Sequence, residues 1–322
     1  MPNNCCLTDI QPELLDVKLR HSLANSLESI FTTQSQHFDF AISNPCNTIK
    51  HIRNHRILPG VIGRYFQIVP ALKSGQYLLA NRLMTELVAK ATIVPSLMQQ
   101  PFTEDAIGDD FEHYARLVTF SSPNDGLIAC PSETQWQSFV IHFKEAIDLL
   151  SNTESMFTKE LDALILRVIG AVPPNGAKSH FGGISSLMLW GAVFLNIERY
   201  TSTLDIAEAL VHESGHHLLF GLSFDEPLAI NSLNDAFPSP LRSDLRPIDG
   251  VFHATFVCAR ICYFYSSLLQ KNFLDQGQKT TATSRLANYQ QRFHAGKKTL
   301  LQSGHLTPNG QHILSAAQTT YL

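Results

Sequence analysis

Apolar residues recur at three- and four-residue spacing through PELLDVKLRHSLANSLESIFTTQ, residues 12–34, and predict an amphipathic helix there. Two more helical runs follow at about 61–70 and 75–92, the second reading GQYLLANRLMTELVAKAT. Pro59-Gly60 and Lys73-Ser74-Gly75 supply the turns between them. Residues 101–132 lose the period: Gly108-Asp109-Asp110 and the SSPNDG stretch at 121–126 read as irregular chain. An amphipathic helix returns over about 134–160.

The texture then changes. LDALILRVIGAV (161–172) and SHFGGISSLMLWGAVFLN (179–196) are short apolar runs marked by Gly and Ser, and they read as buried strands joined by a PPNG turn. Helices resume at about 203–221, 247–272 and 279–302, with a shorter one near 307–318. No repeat or low-complexity tract interrupts the pattern. Together these elements predict a mainly α fold with a small β-sheet, of α+β type. A helical N-terminal lobe, residues 1–130, is expected to pack on a catalytic C-terminal lobe, residues 131–322.

Composition narrows the function classes. With 322 residues, 44% hydrophobic and 16% charged, the chain has ample material for a sizeable core. A net charge of −4 gives no basic surface for nucleic acid or anionic membrane. No window approaches the roughly 18 apolar residues of a membrane span. The start, MPNNCCLTDIQPELLDVKLR, lacks the architecture of a secretory signal. The six cysteines, Cys5, Cys6, Cys46, Cys130, Cys258 and Cys262, form no CxxC pair and are too sparse for a disulfide framework. Reduced thiols in a cytoplasmic protein are the expectation, with Cys258 and Cys262 packing as small apolar groups at i, i+4.

The chemistry concentrates in ALVHESGHHLLFGL, residues 209–222. Thr203 is placed to cap this helix and Gly221 to end it. His212 and His216 lie one turn apart on one face, so both imidazoles can reach one metal ion. Glu213 is rotated about 100° from His212, and flanks the metal as a carboxylate for a bound water. His217 points elsewhere on the helix and reads as packing or support. HIRNH puts His51 and His55 at the same spacing, but in a polar, basic segment without a carboxylate, where a solvated face is expected.

A third ligand is required. The metzincin pattern would need Gly at 219 and His at 222, and both are Leu. Asp225 and Glu226 follow too soon for a thermolysin-type Glu, and Asn231 stands where one would be wanted. His253, on the mostly apolar face His253, Phe256, Val257 and Arg260 of the next helix, is the favoured candidate on placement, with Pro247 in that helix's first turn. Asp244 and Asp249 compete for the role, either giving a two-His-one-carboxylate triad. Arg242, Arg246 and Arg260 surround His253 in sequence. A guanidinium is the natural bidentate clamp for a carboxylate, and seven helical residues rise about 10 Å, the reach of a small dicarboxylate.

HESGHH followed by R-x-D-x-R-P-x-x-G-x-x-H-x-x-F-V (Arg242, Asp244, Arg246, Pro247, Gly250, His253, Phe256, Val257) resembles the HExxH-domain proteins of ribosomal-peptide gene clusters. GQYLLANRLMTEL and SSLMLWGAVFLN are also similar, so the likeness covers much of the chain, most specifically 180–260. The resemblance implies a zincin-like HExxH helix in a non-haem Fe(II), 2-oxoglutarate-dependent enzyme. Such an enzyme hydroxylates a side chain of a precursor peptide, typically at the β-carbon. By position, it implies that His212, His216 and His253 hold the iron. It leaves the 2-oxoglutarate clamp open among Arg246, Arg242 and Arg260, in that order, and gives Glu213 an orienting role. The competing readings are a zinc endopeptidase with Glu213 as general base, and a metal-stabilised binding module. A peptide substrate is expected to add as a strand along 179–196.

Overall fold

The computed structural model describes residues 7–34, 36, 45–91, 97–121, 128–177 and 181–322. Cys5, Cys6, positions 122–126 of the expected loop, and positions 179 and 180 lie outside these. The described chain is mainly helical with one small sheet, and no described helix is long and apolar enough to cross a membrane. One compact unit comprises residues 12–140 and 162–201; the other comprises 1–11, 141–161 and 202–322. Each unit is thus assembled from separated stretches of chain.

In the unit of residues 12–140 and 162–201, α1 (Pro12–Thr33) buries Leu19, Leu23, Ala24 and Leu27, the stripe expected of a 3.6-residue period. Arg20 donates through Nε to Asp16, 2.8 Å away, and through Nη1 to the Arg53 carbonyl, 2.6 Å away, at the end of α2 (Pro45–Asn54). A cation there satisfies the otherwise orphaned carbonyls of a helix C-terminus. Next come α3 (Pro59–Lys73) and α4 (Tyr77–Lys90). Pro59 opens α3, where its missing N–H costs nothing, so the Pro59-Gly60 turn signal is a helix start. Gly75, at φ +72°, makes the turn into α4.

The irregular segment expected at 101–132 contains more structure than its pattern indicates. β1 (Met98–Pro101) leads into it, α5 (Glu104–Ile107) is capped by the Thr103 hydroxyl, and α6 (Phe111–Ser121) follows. β1 is polar and largely exposed; only its parallel pairing with β2 (Arg167–Ala171), Met98 opposite Arg167, makes it a strand. α6 contributes Tyr114, Leu117 and Val118 to the sheet's core beside Phe102, Ile169, Phe181 and Phe194.

The strand reading of 161–172 holds only from Arg167. α7 (Glu133–Thr153) is followed by α8 (Ser155–Leu164), which takes the first four of those residues. The 179–196 stretch divides into β3 (Gly183–Ser185), a single 3-10 turn at Leu187–Leu189, and β4 (Ala192–Asn196). The sheet order is β1-β2-β4-β3, parallel except for β3, which runs antiparallel to β4 at one edge.

The other unit is built on α9 (Thr203–Leu222), α10 (Ile248–Leu269), α11 (Gln276–Ser303) and α12 (Pro308–Tyr321). α9 is capped by Ser202, whose hydroxyl accepts the Asp205 N–H at 3.2 Å, one residue before the expected Thr203. It runs past Gly221 to end at Ser223. α10 is buried nearly all round and packs against α9, α11 and α12. α11 is polar along most of its length and docks through Phe293, Gly296 and Leu300. A Cβ at Gly296 would lie 2.1 Å from Thr255 Oγ1, so the approach of α11 to α10 requires glycine.

Candidate metal centre

Burial along α9 sorts its residues. Ala209, Leu210, Val211, Glu213, Ser214, Gly215 and His217 are buried, while Glu208, His212, His216 and Phe220 form a less enclosed stripe at four-residue intervals. His212 and His216 turn their Nε2 atoms toward each other, 3.1 Å apart. Glu213 is 3% exposed, and its Oε1 lies 3.9 Å from His212 Nε2. The HExxH spacing therefore delivers two imidazole nitrogens and one carboxylate oxygen to one place.

His253 of α10 joins them. Its Nδ1 is 3.0 Å from Nδ1 of His216, with ring centroids 5.2 Å apart, and Phe220 closes over it at 4.8 Å. Burial pushes the His216 pKa well below its ordinary value, and the neighbouring His212, His253 and His217 push it further. Burial lowers His253 as well, against the opposing charge of Asp249. His216 and His253 are thus favoured as neutral imidazoles, the form that binds a metal.

Donor chemistry and spacing suit a divalent first-row ion: adjacent ligands at right angles around one metal stand about 3 Å apart. The contacts are pairwise, however. His216 meets His212 through Nε2 and His253 through Nδ1. Among the described residues, no three His, Cys, Asp or Glu side chains converge on a single metal-binding point. His212 and His216 are placed to share an ion through Nε2, while His253 meets the Nδ1 side of the His216 ring. Its competitors stand otherwise. Asp249 Oδ2 lies 3.9 Å from His253 Nε2, beside the ring. Asp244 accepts from Arg242 Nε at 3.2 Å and pairs with Arg246 Nη2 at 2.9 Å.

The three arginines differ sharply. Arg242 and Arg246 are partly exposed, and the Arg246 backbone is pinned by paired 2.8 Å bonds with Phe237. Arg260 is fully buried. Its Nη1 donates to Glu160 Oε1 at 3.2 Å and to the Tyr321 hydroxyl at 2.9 Å, and its Nη2 pairs with Glu160 Oε2. Burial favours the neutral Arg260, but Glu160 and Tyr321 outweigh it and hold the charge. Gly215, inside HESGHH, makes room for this side chain: a Cβ there would lie 3.0 Å from Arg260 Cδ and 3.1 Å from Nε.

A second group of residues holds α9 in place and carries no motif. Glu208 accepts from Tyr289 at 2.6 Å, from Arg285 at 3.0 Å and from Tyr265, while Arg285 also reaches Asp205 at 2.6 Å. These bonds tie the first turns of α9 to α10 and α11. Sequence offered one signal, a carboxylate at 208 four residues before His212 on the same stripe; its partners come from distant positions. His217 is fully buried and packs edge-on to Phe220, its Nδ1 3.2 Å from the Glu213 carbonyl. Cys258 and Cys262 are free and buried, and burial raises both thiols, Cys262 to about 12, so neither offers a thiolate. His51 and His55 lie with ring centroids 4.7 Å apart, tilted at 39°, on α2 and its C-terminal edge, and His55 is exposed.

No protein-family model matches the chain, and no curated protein matches it with significance. The site therefore rests on its own residues.

Proposed function

We propose that this protein is a non-haem Fe(II), 2-oxoglutarate-dependent oxygenase that hydroxylates a side chain of a ribosomally made precursor peptide, at the β-carbon. The observation that carries the reading is the contact of His216 with both His212 and His253, their nitrogens 3.1 and 3.0 Å apart. In this scheme α9 is a zincin-like HExxH helix, and the unit bearing α9 and α10 is the catalytic one. His212, His216 and His253 would hold the iron, which with 2-oxoglutarate would supply dioxygen activation for C–H hydroxylation.

The chain's own residues do the remainder. Glu213, buried beside His212, orients that ring and a water at the centre. Phe220 walls the cluster from solvent on the α9 side. Arg246, its backbone fixed by Phe237 and its head reached from solvent, is the first choice to clamp the distal carboxylate, with Arg242 next. Binding would draw one or both from Asp244. Arg260, enclosed by Glu160 and Tyr321, serves the packing of α9 on α10.

The test is anaerobic loading with Fe(II), then 2-oxoglutarate, oxygen and a precursor peptide encoded nearby. Succinate and a peptide gain of one oxygen atom are expected; neither appearing with a cognate peptide refutes the reading. A zinc endopeptidase is the second reading, favoured by the placement of Glu213 Oε1 3.9 Å from His212 Nε2, where a general base for a metal-bound water belongs. Glu213→Gln separates the two. A peptidase loses essentially all turnover, whereas the oxygenase keeps bound iron and part of its activity.

A further inference from the structure

A cavity of about 580 Å³ lies between α3 and α4, closed by α6 and the turn at Leu187–Leu189. This is within the range of small-molecule sites. Phe66, Pro70, Leu79, Leu83 and Met188 give it an apolar floor. Its polar groups are few and differently disposed. His113 is 3% exposed and lines the cavity, with Nε2 donating to the Gly60 carbonyl at 3.3 Å, which leaves Nδ1 as an acceptor. Burial lowers the His113 pKa to about 4, with the Arg64 charge adding to the effect, so at neutral pH this ring brings no charge.

The charges stand at the mouth. Arg82 and Arg116 are exposed, and Arg116 makes no hydrogen bond or ion pair among the described residues; nor does the Gln67 amide beside it in the lining. The one carboxylate in the lining, Glu86, is bonded by the buried Arg64 at 2.9 Å and also faces Arg82, whose Nε lies 4.0 Å from its Oε1, so Arg116 is the rim cation with no acidic partner among the described residues. An apolar chamber with a cationic rim complements a molecule that is apolar along its length and anionic at one end.

We propose that this cavity binds an amphipathic carboxylate, its chain along Phe66, Leu79, Leu83 and Met188 and its carboxylate on Arg116 and Arg82. The site stands apart from the histidine cluster in its residues and does not depend on the oxygenase reading.

The test uses full-length protein with carbon-13 methyl-labelled methionine, titrated with hexanoate, octanoate and decanoate. Five methionines give a readable spectrum, and Met188→Leu assigns the resonance in the cavity. A saturable shift of Met188 is expected, with affinity rising about fourfold per added methylene. Arg116→Glu and the milder Arg116→Gln, both at an exposed position, should each weaken decanoate at least about tenfold; so should replacing decanoate by decanol. The proposal is overturned if Met188 does not shift saturably, or if acid and alcohol bind alike and both Arg116 variants are neutral. It is equally overturned if an acidic amphipathic peptide shifts Met188 while decanoate does not.

Discussion

Replacing Arg260 by Met separates the structural role of this arginine from a ligand-binding one. The substitution keeps an apolar stem but removes the cation, leaving Glu160 on the far side of the chain with no compensating charge. Glu160 is 5% exposed, and burial already raises its pKa against the opposing pull of Arg260. Breaking a buried pair from one side costs about 3–5 kcal/mol, most of it the uncompensated carboxylate. The loss is expected in the midpoint of urea unfolding at pH 8 with little change in slope. Without Arg260 the Glu160 pKa rises further, so the folded state binds more protons than the unfolded one just above the usual carboxylate range. The defect should therefore shrink as pH falls toward 5. The double variant Arg260→Met with Glu160→Met removes both charges and should return to within about 1–2 kcal/mol of the native protein. On the proposed oxygenase reading, that rescued protein should bind Fe(II) and respond to 2-oxoglutarate as the native protein does. Two outcomes refute the reasoning: a single variant within about 1 kcal/mol of native, or a double variant no more stable than the single. A stable double variant that has lost 2-oxoglutarate would instead make Arg260 the clamp.

Three further expectations follow from other parts of the molecule. If His253 is the third ligand as proposed, His253→Phe should leave the fold intact and weaken Co(II) or Fe(II) binding by about 100-fold or more, read by calorimetry; unchanged affinity would return the role to Asp249. Between pH 6.5 and 4 the unfolded chain protonates His113 while the folded protein resists. The native state should thus lose about 3 kcal/mol through this group on acidification, and His113→Phe should flatten that part of the stability profile. The Gly60 carbonyl keeps its bond from Arg64 Nη1 in that variant. Tyr289→Phe deletes one of the donors on Glu208 and should cost about 1–2 kcal/mol in thermal unfolding, with turnover lowered only if the register of α9 shifts.

The helices were legible where one face had to be apolar. α1, α4 and α7, and the helices α9 to α12, were read from the sequence pattern. So does the pair of histidines, because helical spacing alone puts positions 212 and 216 on one face. Local chemistry was less reliable at the ends. Ser202 and not Thr203 caps α9, since both residues can accept an N–H and only the backbone path chooses. α6 lay hidden beneath Gly and Asp punctuation, and β1 beneath polar side chains. Both owe their form to the partners they meet, Phe102 and Phe194 for α6 and the edge of β2 for β1. Spacing could bring forward three arginines around His253 but could not say that Arg260 is sealed against Glu160, one hundred residues earlier in the chain. Nor could it find Tyr289 and Arg285 on Glu208, or the space between α3 and α4 that leaves Arg116 at an open mouth. By itself the sequence determined periodicity, and with it the shared face of His212 and His216. Which buried charges are matched, and which polar groups are left facing a cavity, was decided only by the tertiary structure, because both depend on residues that folding alone brings within bonding distance.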